Sequence, residues 1–173
     1  MPVLRIGVEQ DEETGYKALK EKYIATVNDA GAREAYVAGM SRVKSEALIR
    51  DFLDFSFSGA IPTQDIHGPA ANLSHNATAR PIYWKWLRDN WTMVEGRLKG
   101  TTVVFDRFIR MSLVNFVTKQ DRDEIEAFFK DKDTKPFERA LIQTLDSIES
   151  NYKYRERDQA KVVEWLNANG YSA

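Results

Sequence analysis

The 173-residue sequence contains no cysteine. That one absence removes disulfides, thiolate nucleophiles and cysteine-ligated metals together, and makes a reducing compartment, the cytoplasm, the expected location. Histidine is nearly as scarce. His67 and His75 are the only two, eight apart with Gly68 and Pro69 between them, so they cannot supply the one-face pair of an HExxH zinc helix. Nor does the sequence contain GxSxG, GxGxxG or GxxxxGK[ST]; Ser56-Phe57-Ser58-Gly59 lacks the first glycine of a nucleophile elbow. No metal and no cofactor is expected.

Neither sign of charge is in excess. Lys and Arg number 25 against 26 Asp and Glu, a net charge of -1, so nothing drives general phosphate neutralisation and nucleic acid is not an expected partner. Long apolar runs are also missing. The opening MPVLRIGVEQDEE has one basic residue and a short apolar stretch before acid begins, too little for a signal-peptide core or a bilayer span, and no membrane partner is expected. Three sequons, at Asn72, Asn76 and Asn90, carry no weight without such a leader. With five prolines and nine glycines, there is little to break helices and no bias toward disorder. A chain of this length buries roughly 70% of its unfolded surface as one domain.

What is present is helical periodicity. Apolar residues recur at three and four from Asp11 onward. Asp11 caps a first helix carrying Tyr16, Leu19, Tyr23 and Ile24, and a short second helix carries Ala35, Tyr36, Ala38 and Met40. Ser45 opens a third helix that ends at Ser58-Gly59. His67-Gly68-Pro69 is expected to interrupt a fourth. Asn76 or Thr78 caps a long fifth helix running past Trp91 to near Gly100, and Val103 to Phe116 form a central helix. Thr118 caps the next, Pro136 opens another to about Tyr154, and a last helix over Arg157 to Asn169 is expected to bury Val162, Val163, Trp165 and Leu166 before Gly170. Outside this pattern stands only a Val3-to-Val8 fragment with strand character. The fold class is therefore all-α, with about nine short helices stacked as antiparallel pairs in a curved HEAT/armadillo-like solenoid. Residues 1–10 are read as a flexible or extended lead and 11–173 as a single helical domain.

Polar residues in apolar surroundings mark the candidate site. Gln64, Asp65 and His67 sit at the interrupted helix, and Asp106, Arg107 and Arg110 sit on the central one. Because buried charge is costly, the latter three must face solvent, pair or line a cavity. Two readings stand: an intrahelical Asp106–Arg110 ion pair, or an anion-binding wall. His67 is either a helix-end hydrogen-bonding residue or an acid/base. The aromatic run Tyr83, Trp84, Trp86 and Trp91 is either core or a stacking platform, and neutral net charge favours core.

Five stretches carry a resemblance: Pro62-Thr63-Gln64-Asp65-Ile66, Trp84 through Trp91, Glu126-Ala127-Phe128-Phe129, Leu145 through Glu149, and Val163-Glu164-Trp165-Leu166. In order and spacing the chain, from about Asp11 to Tyr171, resembles the C-terminal helical domain of the zinc aminopeptidases related to aminopeptidase N, and within these the fungal and puromycin-sensitive branch. The resemblance implies a HEAT-like superhelix that cups a separate catalytic domain, limits entry to substrates of peptide size and in some members contacts the peptide's far end. The family's HExxH and GxMEN motifs are not in this sequence, so the implied role is enclosing or regulating, with an aminopeptidase catalytic domain as partner and no peptidase activity alone. His67-Gly68-Pro69 and Phe105 to Arg110 depart from the smaller, more neutral lining that the resemblance implies. They leave an alternative in which the chain, beginning with its own Met1, is a stand-alone small-molecule binding protein or metal-independent enzyme, for example in biosynthesis. In that alternative His67 is the acid/base, Asp65 orients it, and Gln64, Tyr83, Asp106, Arg107 and Arg110 bind the substrate.

Overall fold

The computed structural model describes residues 7–171, all of whose regular structure is helical. Nine α-helices lie between Glu12 and Ala168: α1 Glu12–Ala25, α2 Ala30–Met40, α3 Glu46–Phe55, α4 His67–His75, α5 Ala79–Asp89, α6 Trp91–Leu98, α7 Thr102–Leu113, α8 Lys119–Phe129 and α9 Glu138–Ala168. A π-turn over Ser56–Ala60 and a 3-10 turn over Thr63–Asp65 join α3 to α4. The all-α class expected from periodicity is the class observed.

Caps explain most boundaries. The Asp11 carboxylate accepts from Thr14 N at 3.1 Å and Asp29 from Ala32 N at 2.9 Å, which satisfies N–H groups that a helix start otherwise leaves unpaired. Thr118 and Asp121 form a reciprocal capping box at α8. Ser45 stands at the start of α3 without capping it. Instead the Glu12 carboxylate, reaching across from α1, accepts from Lys44 N and Ser45 N, both at 3.0 Å. Asn76 rather than Thr78 serves α5, its Oδ1 accepting from Thr78 N and Ala79 N. Gly59, at φ 105°, ends the π-turn in a conformation that glycine adopts without a Cβ penalty.

Several boundaries differ from expectation. The long fifth helix breaks at Asn90, whose φ of −111° and ψ of 16° redirect the chain between α5 and α6. His67-Gly68-Pro69 opens α4 rather than interrupting it: Pro69 lies in the first turn, where its missing N–H costs nothing. The expected last two helices are one, since the stretch from Tyr152 to Asp158 contains neither glycine nor proline and is bracketed by i,i+4 pairs, Glu149–Lys153 and Arg155–Gln159. Only Ala140 to Ile148 of α9 is buried, against α7 and α8. Val162, Val163 and Trp165, expected in the core, are exposed at 53%, 43% and 59% and Leu166 is only half-buried, because no other helix among the described residues covers that half. Of the N-terminal lead, residues 1–6 and most of the Val3-to-Val8 fragment lie outside the described residues. Residues 7–10 are helical rather than extended, and Val8 is fully buried. A Cβ at Gly15 would lie 2.9 Å from the Val8 Cα, so glycine there permits this close approach.

The core is continuous from Val8 to Ile148. α4 is its hub, packed on α2, α5 and α7, while α7 also packs on α9. Trp84, Trp86 and Trp91 are all nearly buried, as the core reading of the aromatic run required. Trp91 joins α6, α7, α8 and the start of α9 through Phe105, Phe129 and Phe137, with ring centroids 5.9, 5.0 and 6.0 Å away.

Candidate functional site

The turn from α3 into α4 and the first half of α2 enclose a cleft of about 380 Å³. Its walls carry Tyr23 from α1, Arg33, Glu34 and Val37 from α2, Ile61 and Asp65 from the connecting turns, His67, Pro69 and Asn72 from α4, and Arg107 from α7. Five separate segments thus meet at one concavity, which is possible because α4 packs on both α2 and α7.

Arg97 makes most of the side-chain hydrogen bonds that hold the connecting segment in place. Arg97 of α6 donates to the carbonyls of Ser56, at 3.2 Å, and Ile61, and to Thr63 Oγ1 at 3.3 Å, with its guanidinium over the Phe57 ring. Burial lowers its pKa, yet a guanidinium stays charged under all ordinary conditions. A charged donor therefore satisfies two loop carbonyls and fixes where Asp65 and His67 emerge.

His67 Nδ1 lies 3.0 Å from the Gln64 carbonyl. A carbonyl only accepts, so Nδ1 carries the proton and Nε2 presents its lone pair. The orienting partner is thus the Gln64 backbone, not the Asp65 carboxylate. Burial, and next the positive charge of Arg107, lower the His67 pKa, opposed by the Gln64 hydrogen bond, Asp65 and Glu34. The ring is neutral at pH 7.

Arg33 approaches from the opposite side. Its Nη2 donates to the Tyr23 hydroxyl at 2.6 Å and to the Ala60 carbonyl at 3.3 Å, while the buried Nε has no partner. Burial raises the Tyr23 pKa, so this hydroxyl is neutral and accepts from Arg33. Glu34, Asp65 and Arg107 form no ion pair or side-chain hydrogen bond among the described residues.

Of the residues singled out in the sequence, Asp65, His67 and Arg107 line the cleft, and Gln64 contributes its carbonyl. Asp106 and Arg110 do not line it: they form the i,i+4 ion pair at 3.2 Å, and Arg110 also donates to Gln143 at 2.5 Å. Tyr83 is fully buried; its hydroxyl lies beside Ser112 but makes no hydrogen bond of good geometry among the described residues, and burial, opposed by Ser112, raises its pKa. Tyr83→Phe is accordingly expected to leave stability unchanged or to raise it by about 1 kcal/mol, because it deletes a buried unsatisfied hydroxyl; urea unfolding midpoints measure this. Tyr23, Arg33 and Glu34 were not among the sequence candidates. The available signal was that Arg33 and Glu34 are the only charged residues of α2.

Among the described residues no group of three or more His, Cys, Asp and Glu is placed to hold a metal ion. No helix there is long and apolar enough to cross a membrane. His75, the other histidine, is bound through Nδ1 to the Ala71 carbonyl at 2.8 Å.

Comparison with known proteins places these features. The model of the ERAP1-like C-terminal domain family matches residues 1–150. The chain is 28% identical over 169 residues to Aminopeptidase 2, mitochondrial, of Saccharomyces cerevisiae, which covers 98% of this chain and 17% of the yeast protein. It is 26% identical over 164 residues to Aminopeptidase M1-C of Oryza sativa, covering 93% and 18%. To human Endoplasmic reticulum aminopeptidase 1 it is 23% identical over 170 residues, covering 97% and 18%. The chain thus spans less than a fifth of the length of each of these relatives.

Proposed function

Because this chain belongs to the ERAP1-like C-terminal domain family, we propose that it encloses or regulates the substrate space of an aminopeptidase catalytic domain and has no peptidase activity alone. The observation that carries this reading is the cleft. It gathers charges of both signs and a neutral imidazole on a helical scaffold, with none of the paired histidines that zinc hydrolysis needs. Such a surface is suited to binding and orienting a substrate whose hydrolysis takes place on another domain. The succession of helix contacts, α1 on α2, α2 on α4, α4 on α7 and α7 on α9, supports the HEAT-like stacking implied by the resemblance. The absence of cysteine supports a cytoplasmic location. Purified chain with added zinc is expected to release no product from aminoacyl reporter substrates above the metal-free rate. Turnover above that rate would remove this reading.

A second reading has one specific observation in its favour. Asp65 and His67, from one part of the sequence, and Arg107, forty residues on, converge on one cleft. This supports a small-molecule site in which the His67 Nε2 lone pair accepts a ligand proton and Arg107 holds an anion. The domain need not be catalytic for this site to be used.

A further inference from the structure

The cleft carries charges that no ion pair among the described residues neutralises. Glu34 and Arg33 stand on α2, Asp65 on the 3-10 turn and Arg107 on α7, and no pair among them approaches within ion-pair distance. Ordinary surface charges are solvated singly, and their presence needs no explanation. Here four of them share a cavity of about 380 Å³, within the range of small-ligand sites. His67 feels Arg107, Asp65 and Glu34 at once, which is consistent with all three lying around the same space. With two cations and two anions, a simple anion or cation would meet as much repulsion as attraction. A ligand with both charges fits. Between the charged walls, Val37, Ile61 and Pro69 provide an apolar surface, suited to an aliphatic side chain.

The geometry points to a binding site for a free zwitterionic α-amino acid, its carboxylate on Arg107, its ammonium between Glu34 and Asp65, and its side chain against Val37 and Ile61. The His67 Nε2 lone pair adds an acceptor for the ammonium, and the Asn72 side chain, which makes no hydrogen bond within the protein among the described residues, adds a neutral polar contact. This inference rests on the reading that the cleft is the domain's ligand site. It adds that the ligand is of the class an aminopeptidase releases, so that the domain senses product. Charge pairs in a partly enclosed cleft give specificity more than raw affinity, so binding in the millimolar to micromolar range is the expectation.

Isothermal titration calorimetry of the full chain tests it with four ligands: L-leucine, N-acetyl-L-leucine, L-leucinamide and the dipeptide Leu-Leu. Leucine is expected to bind, and capping either end is expected to weaken binding by about tenfold or more, or about 1.4 kcal/mol. The dipeptide should bind less tightly than leucine, since its charges are too far apart for the same contacts. Arg107→Gln and Glu34→Gln should each reproduce the loss seen on capping the corresponding end. Both side chains are exposed and make no ion pair among the described residues, so the variants should retain the helical circular dichroism of the parent. Equal binding of leucine and its capped forms would overturn the assignment. So would tighter binding of the dipeptide, which makes the site one for peptides, or no heat with leucine at millimolar concentration. Any of these with background zinc turnover leaves the enclosing role intact, whereas turnover by the chain alone refutes that role and not the amino-acid site.

Discussion

Trp91→Ala is expected to lower stability by about 3–5 kcal/mol, the cost of emptying an aromatic site in a packed core. Trp91 is 6% exposed and meets rings from three neighbouring segments: Phe105 of α7, Phe128 and Phe129 of α8, and Phe137 just before α9. Phe105 and Phe137 are themselves only 4.3 Å apart, so the cavity left by the indole cannot close without moving two helices. Edge-to-face geometry at Phe128 and Phe129 contributes beyond area alone. The indole Nε1 has no hydrogen-bond partner, so Trp91→Phe loses no polar contact and should cost only about 1–2 kcal/mol. Urea denaturation followed by far-UV circular dichroism separates the two. Similar midpoints for Trp91→Ala and the parent would show that the aromatic cluster does not hold α6 to α9 together.

Arg97→Met carries the second large effect, and acts on the cleft. The substitution keeps an unbranched apolar stem and removes the donors that satisfy Ser56 O, Ile61 O and Thr63 Oγ1. Unsatisfied buried carbonyls cost about 1–3 kcal/mol each; with some recovery by water, a net loss of about 2–4 kcal/mol is expected. The consequence extends beyond stability because the released segment carries Asp65 and leads into His67. The His67 ring resonances in an NMR titration should shift toward those of a solvated imidazole, its pKa rising as the burial that lowers it is lost. If the midpoint falls but the His67 titration does not move, Arg97 stabilises the loop without positioning the site.

Much of this fold is written in local patterns. Asp11, Asp29 and Thr118 act as caps within three residues of their partners, so no tertiary information is needed to place them. The aromatic run from Tyr83 to Trp91 is buried because apolar residues at helical spacing have nowhere else to go. Where local pattern misled, the deciding contact was distant. The apolar residues of the α9 tail have a periodicity that signals burial, yet burial needs a second surface, and none among the described residues covers them. Ser45 is a sound cap residue by type, but Glu12, 33 positions earlier, takes that place.

The candidate site divides in the same way. The all-α class, the lack of a zinc-binding histidine pair and the polar residues out of place in apolar helices are legible in the chain before folding, because each depends on residue type and spacing alone. The tertiary structure decided which of those residues meet. Arg107 and Arg110 are three apart on α7, yet one lines the cleft and the other turns to Asp106 and Gln143. Arg33 and Glu34 join Arg107 only because α4 packs on both α2 and α7. A shared cavity is a property of helices brought together from distant parts of the chain, and no local spacing encodes it.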